Sequence, residues 1–547
     1  MKKVEKQIQG SQETTYMMIT MKRNLPEKSY DRDTNSGRII KPYLILLIFL
    51  SVTINVFAQN KSGYTWIVGF NGSFAKFDGT SSAPSKGQLF NTSHPNSPFM
   101  YQIAHSNICD SITGEIVLST TGMILYNAQG DIIENGDSLQ PEKAYLHNPL
   151  PLLPVTQGSI IIPKGTYGQY YVFIPTVSDS LYNLLWTNVN GYKAPFDLLR
   201  YNIVDMNLNG GAGKVVVKNK VLLKDIELSK VMMQACKHSN GKDWWLLKHA
   251  LNDNIIYRFL VTKDSIFGPF TQSFPQPKWG YGDVYGQSAF SKNGKKYAAV
   301  MGSGSKLFLA DFDRCSGELI NPNIFNIPID STTHSYWDGM GVLDSVSTGV
   351  CFSPNDNFLY IDKMFNIYQY EINQPDSNLA WYHVKHGFDT TQAAFEDYGQ
   401  LYRAPNNRIY IGKVGGSLTQ FSVIDYPNSK GAACGFCRKC FRIDNAQGGL
   451  TAPPNMPDYD LGPELGVTCW PLGEPEIIKV NTDLKVYPNP ASTMLYIKTN
   501  SKEKRMLYNA IGQLLYETDA NEMYISGYTK GLYYIKVGSA VSKIVVE

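Results

Sequence analysis

The strongest constraint on the fold is a turn that recurs along the middle of the chain. Lys237–Leu247 (KHSNGKDWWLL), Phe290–Val300 (FSKNGKKYAAV), Phe352–Asp362 (FSPNDNFLYID) and Arg403–Lys413 (RAPNNRIYIGK) share one shape. A small or apolar lead-in meets a turn rich in Asn and Gly, and a run of alternating aromatic and aliphatic residues follows. Weaker copies occupy Cys109–Ser119 and Ile162–Ile174. Asn-Gly takes positive φ without strain, so each turn is expected to close a two-residue hairpin. A second strand-like run follows each of the four, as in KLFLADFD (Lys306–Asp313) and NIYQYEI (Asn366–Ile372). The turn asparagines Asn240, Asn293, Asn355 and Asn406 lie 53, 62 and 51 residues apart.

A period of that length holds about four short strands. One such sheet cannot bury both of its faces, so the units must stack against one another in a ring. From Tyr64 to Cys469 there is room for roughly seven units, which predicts an all-β, seven-bladed β-propeller. Two packed sandwich domains fit the spacing poorly, because no unit of that size would have its own core. Tyr64–Phe70 (YTWIVGF) is expected to pair with the last blade and close the ring, hiding the open edges. Composition agrees: 35 Tyr and 25 Phe suit pleated surfaces, and 46 Gly with 29 Pro supply turns. The formal net charge is only +3, with no basic run in the body of the chain, which argues against a nucleic-acid partner.

Tyr43–Ala58 (YLILLIFLSVTINVFA) is an apolar run preceded by Arg38 and Lys41 and closed by the small residues Val56 and Ala58. This is the pattern of a secretory signal cleaved before Gln59. The alternative, a retained anchor, needs about 20 apolar residues, so no permanent membrane span is expected after processing. Export changes how the eight cysteines read, favouring disulfides among Cys236, Cys315, Cys434, Cys437, Cys440 and Cys469. The tandem C-x-x-C steps at Cys434, Cys437 and Cys440, with Cys469, could instead hold zinc, an iron–sulfur cluster or a redox dithiol. Pairing cannot be read from sequence, and no metal or other cofactor is assigned.

FSPNDNFLYI resembles the repeat of YVTN and lactonase-like propellers. Asn209–Leu223, Ala235–Leu247, Asp311–Leu319, Gly431–Phe436 and Leu461–Cys469 resemble exported propeller proteins of gliding, Gram-negative bacteria. That resemblance implies a fold and a destination, and transfers no catalytic residue. From Leu484 onward five short strands fit a small immunoglobulin-like sandwich. Its Val486-Tyr487-Pro488-Asn489-Pro490, Gly512, Gly531-Leu532-Tyr533-Tyr534-Ile535-Lys536-Val537 and Lys543-Ile544-Val545-Val546 resemble the type A C-terminal sorting domain of type IX secretion cargo. The resemblance implies recognition by the outer-membrane secretion machinery and a secreted or cell-surface destination. The expected division is 1–58 extension and signal, 59–473 propeller, 474–483 linker and 484–547 sorting domain.

Catalytic motifs are missing from the sequence. Gly210-Gly211-Ala212-Gly213-Lys214 has Leu208 where a phosphate loop needs Gly and Val215 where it needs Ser or Thr. No Gly-x-Ser-x-Gly or His-Glu-x-x-His occurs. Asp311 with Asp313 and Asp458 with Asp460 read as turn carboxylates rather than calcium ligands. Trp244 and Trp245 should point to opposite faces of one strand, buried between blades, unless one indole reaches a channel mouth as a binding platform. Trp337 and Asp338 lie between strand-like runs and are the other candidate ligand contacts. Two functions are expected: a binding module for a macromolecule or glycan, or a lactonase-like or glycan-cleaving hydrolase with its site in the central channel. The lack of catalytic motifs favours the first.

Overall fold

A computed structural model describes residues 59–547, apart from 71, 81–82, 91–92, 97–98, 102, 143–154, 187–195, 252–254, 275–285, 302–304, 330–345, 364–365, 387, 390–393, 396–397, 414–419, 444–451, 468, 470–483, 510–513 and 539. The signal segment, the linker, Trp337 and Asp338 lie outside the described residues.

The described strands form seven antiparallel blades. The first is Thr65–Phe70, Ser73–Lys76 and Ser85–Gln88, and the second is Ser106–Cys109, Ile116–Thr120 and Leu125–Asn127. The third is Ile160–Pro163, Gln169–Thr176, Phe196–Asp205 and the first half of Lys214–Lys237. The second half of that long strand opens the fourth blade, followed by Trp244–Ala250, Ile255–Val261 and Ile266–Ser273. Blade five runs from Gly286–Phe290 to Leu319–Asn326, blade six from Gly349–Phe352 to Trp381–His386, and blade seven from Leu401–Arg403 to Phe436–Arg442. Burial falls from the axis outward. Ser106–Cys109 and Gly349–Phe352 are wholly buried, whereas Ile266–Ser273 is mostly exposed.

Each blade is too thin to have its own core, and hydrophobic clusters between neighbours run right round the ring. Trp244 packs toward blade three and Trp245 toward blade five, on opposite faces as the strand period requires. Leu309 and Ile361 join blades five and six, and Tyr360 and Ile409 join six and seven. The ring closes where Trp66 and Phe77 of blade one meet Tyr410 of blade seven edge-on, with centroids 5.5 and 5.6 Å apart. Aromatic pairs of this geometry contribute about 0.5–1.5 kcal/mol each beyond their buried area.

Closure differs from the expectation in one respect. Thr65–Phe70 pairs with Ser73–Lys76 and Met100–Tyr101, and has no ladder with blade seven among the described residues. Its direction explains why. Tyr64, at its start, shares a cavity with Lys292 and Asn407, which lie in the turns that end the first strands of blades five and seven. Thr65–Phe70 therefore runs like the second strand of a blade, and among the described residues only the two-residue Met100–Tyr101 pairs on its other side.

The repeated turns are also longer than two-residue hairpins. Ser291 and Lys296 face each other across one of them, with the Ser291 N–H donating to the Lys296 carbonyl. The Asn293 side chain accepts the Lys295 N–H at 2.8 Å, and the positive φ falls on the next residue, Gly294. Asn240 and Asn406 repeat this arrangement, with Gly241 and Asn407 carrying the positive φ. The signature thus marks an Asn-stabilised turn followed by one left-handed residue.

Lys485–Val546 forms two small sheets. One is Lys485–Tyr487, Met494–Lys498 and Glu522–Tyr524; the other is Leu514–Thr518, Arg505–Asn509, Gly531–Val537 and Ala540–Val546. Leu495, Ile497 and Met523 of the first pack on Leu507, Ile535 and Ile544 of the second. Asn489, between two prolines, covers the open edge of the last strand. Its side chain donates to the Lys543 carbonyl at 2.9 Å and accepts the Val545 N–H at 2.9 Å. Pro488 and Pro490 offer no N–H for that edge, so the side-chain amide takes over the pairing. Asn489→Ala should destabilise this domain by about 1–2 kcal/mol, with the propeller transition unchanged. Calorimetry of the full chain would read a lowered first transition, and an unmoved pair of transitions would refute the role.

Candidate functional site

Ala452–Leu461 (APPNMPDYDL) follows blade seven and enters the axis of the ring. Asn455 is fully buried there. Its N–H donates to the His105 carbonyl of blade two at 2.9 Å. Its amide donates to the Ser159 and Met233 carbonyls at 2.9 and 3.3 Å, and its carbonyl oxygen accepts from Gln157, Gln234 and the Tyr402 hydroxyl at 3.2–3.4 Å. One side chain thereby touches blades three, four and seven. The segment has no ladder with any blade among the described residues. Pro453, Pro454 and Pro457 deny it the N–H groups of a ladder, so side chains hold it instead.

Glutamines close the rest of the channel. Gln287 donates to the Leu401 carbonyl at 2.7 Å and accepts the N–H groups of Leu401 and Val350. Gln157 reaches across to Ser288, donating to its carbonyl and accepting its N–H, both at 2.9 Å. Buried amides of this kind must be fully bonded, and the inner strands supply the partners.

Past Asn455 the segment emerges at the end of the ring that carries the repeated turns. Asp458 accepts from Lys292 at 2.8 Å and from Arg403 at 3.1 Å. Burial opposes its ionisation, yet those two cations hold its carboxyl below the usual range. Asp356 accepts the backbone N–H groups of Lys292 and Asn293, joining the turns of blades five and six. Tyr459 packs edge-on against Trp244, and its hydroxyl donates to the Ile161 carbonyl at 2.7 Å. Lys237 sits over the Trp244 ring and donates to the Tyr459 carbonyl. Burial, then the nearby Asp460 and Asp458, push the Tyr64 hydroxyl up to about 12. Around these groups lies a cavity of about 290 Å³, lined also by Gln59, Asn60, Tyr402 and Asn407.

Beyond the cavity the segment crosses blades four and five as a strap. Arg314 donates to the Gly462 carbonyl at 2.6 Å, Glu464 N–H to the Ser239 carbonyl, and Lys295 pairs with Glu464 at 2.5 Å. Cys469 ends the strap in a disulfide with Cys315.

Of the residues singled out in the sequence, Trp244 is only 2% exposed and lies beneath Tyr459, so it forms a wall rather than a contact surface. Cys437 bonds Cys440, while Cys236 and Cys434 are buried free thiols rather than members of disulfides. Asp313 accepts from Cys315 N–H and Ser316 within its own turn. Among the described residues no group of three His, Cys, Asp or Glu could hold a metal ion. Sequence reasoning passed over Asn455, Asp458 as an ion-pair centre, and the strap. The available signal was a proline-rich, aromatic stretch after the last repeat that ended at a cysteine.

Residues 485–547 match the family model of a secretion system C-terminal sorting domain. No curated protein matches the chain. Among solved structures it is similar to a candidate 6-phosphogluconolactonase from Bacteroides uniformis, at 13% identity and TM-score 0.36, over 72% of this chain and 98% of that one. It is also similar to a periplasmic gluconolactonase from Pseudomonas aeruginosa, at 11% identity and TM-score 0.33, over 81% and 100%. A functionally unknown protein from Desulfotomaculum acetoxidans aligns at 11% identity and TM-score 0.32, over 81% and 97%. The sorting domain marks the chain as type IX secretion cargo, exported to the cell surface or the medium.

A depressed folded pKa stabilises above the ordinary carboxylate value, about 4, and that contribution is lost as pH falls through the depressed value. The strap contacts at Asp458 should thus persist through neutral and mildly acid conditions and fail only in strong acid. Asp458→Asn should lower the thermal midpoint at pH 7 and flatten its fall between pH 4 and 2. Superimposable wild-type and variant curves would refute the ion-pair role.

Proposed function

We propose that this exported chain works as a non-catalytic binding propeller, whose ligand docks at the end of the ring carrying the repeated turns. The observation that supports this reading is the filled axis. A propeller hydrolase gathers its reacting groups from several blades into a central chamber. Here the comparable polar groups, the buried Gln157 and Gln234 and the half-buried Tyr402, are all hydrogen-bonded to the buried Asn455. Their capacity is used in holding the chain's own strap. Open groups remain at the mouth, where Gln59, Asn407 and Asp460 are exposed beside Arg403 and Lys292. Such a rim of amides, carboxylates and cations suits a hydroxyl-rich glycan or a peptide.

The mature form in this reading begins at Gln59 and has lost residues 484–547 together with part of the 474–483 linker. Mass spectrometry of surface and medium fractions should find no chain that retains both the apolar run before Gln59 and the terminal Glu547. Glycan and peptide arrays probed with the secreted protein should give binding that Arg403→Ala or Asn407→Ala weakens about tenfold or more, with the fold intact by circular dichroism. Turnover of lactones or glycans by the same material, lost on mutating an axial residue, would instead establish the hydrolase.

A further inference from the structure

We propose that Ala452–Val467, with Cys469, is a redox-controlled latch: the Cys315–Cys469 disulfide keeps the strap in the axis, and reduction lets it leave. The inference is independent of any ligand at the cavity.

Three observations lead to it. First, the strap has no ladder with any blade among the described residues. Four prolines remove N–H donors, and the contacts cluster at separate points: Asn455 in the axis, Asp458 at the cavity, and Gly462 with Glu464 over blades four and five. Ladder bonds act together along a strand, whereas contacts spaced this way can be released in turn from the Cys469 end. Second, the disulfide sits at that end. It joins the strap to the turn Asp313–Glu318 of blade five and spans 154 residues of chain. With the blades folded, the bond tethers the Cys469 end of the strap beside its contacts, and that raised effective concentration shifts the balance toward the seated strap. Third, Cys315 and Cys469 are only partly buried, within reach of a soluble reductant, whereas Cys236 beside the strap is buried.

The chemistry balances with a dithiol as reductant. One thiolate of the dithiol attacks a sulfur of the bond, forming a mixed disulfide and freeing the other cysteine as a thiolate that takes a proton. The second thiol of the reductant displaces the remaining cysteine and leaves as a cyclic disulfide. Two cysteine thiols result, and the strap keeps only its point contacts. Its departure would free Lys292 and Arg403 from Asp458 and uncover Gln157, Gln234 and Tyr402, opening the cavity into the channel.

The test is hydrogen exchange by mass spectrometry on the full chain carrying Cys437→Ser and Cys440→Ser, so that dithiothreitol has one disulfide to act on. Oxidised, the amides of Asn455 and Glu464 should exchange slowly, since each donates to a buried or blade carbonyl. After reduction they should exchange about 100-fold faster or more, with the Val350 and Leu401 amides in the inner strands unchanged. Cys469→Ser should reproduce the fast strap without reductant, and the reduction experiment on folded protein stands alone if that variant does not accumulate. Unchanged strap protection after reduction would overturn the proposal. So would loss of protection in all seven blades, which would make the bond a staple of the whole ring rather than a latch.

Discussion

The fold turns on the buried amide of Asn455. A ring of sheets must close, and it can do so by sharing a blade between the two chain ends through backbone pairing. In this chain the four described strands of the first sheet all lie between Thr65 and Tyr101, and the segment that arrives from the far end is proline-rich and forms no ladder with them. The joint is therefore made by side chains. Asn455 bonds to blades two, three, four and seven at one point on the axis. Left unpaired, any one of those buried groups would cost about 1–3 kcal/mol. That cost makes the position intolerant of an apolar replacement.

The same arrangement shapes what the site can be. Groups on the axis are committed to the chain itself, so freedom to bind lies at the mouth, where the turns of blades five, six and seven meet the emerging strap. Asp458 draws Lys292 and Arg403 together from different blades, and Asp356 ties two of those turns by their backbones. The rim is pre-organised by structural ion pairs rather than by a reacting centre. Perturbed carboxylates commonly mark active sites, but structural networks perturb them too. Here both partners of Asp458 are accounted for by closure.

Much of the ring was legible because its signals are local. A turn asparagine, a left-handed residue and an alternating run lie within a dozen residues, so the blades and the burial of Trp244 and Trp245 could be read directly. The turn type was read too short, because the positive φ falls one residue beyond the asparagine. Closure could not be read this way. The partners of Asn455 stand 53 to 350 positions away, at Tyr402 and His105 among others. Nothing near Pro453 or Pro457 betrays that the stretch lies in the axis. Cysteine pairing failed for the same reason: Cys315 meets Cys469 only because the strap crosses blade five. The sorting domain was legible throughout, since its Pro-Asn-Pro segment does its work within one small sandwich.

The division of the cysteines follows from where each lies. Cys315 and Cys469, and Cys437 and Cys440, are on turns or outer strands, and these are the ones bonded. Cys109, Cys236 and Cys351 lie in first strands, and Cys434 is packed beneath blade seven. Burial pushes Cys109 and Cys236 up to about 12 and Cys351 up to about 11. A thiol so far above neutral pH has almost no thiolate, the form that attacks a disulfide. These three thiols can therefore pass through an oxidising compartment without entering exchange once the blades have packed. Cys315 and Cys469 are only partly buried, so the disulfide that reaches the strap stays open to exchange while those three thiols do not take part.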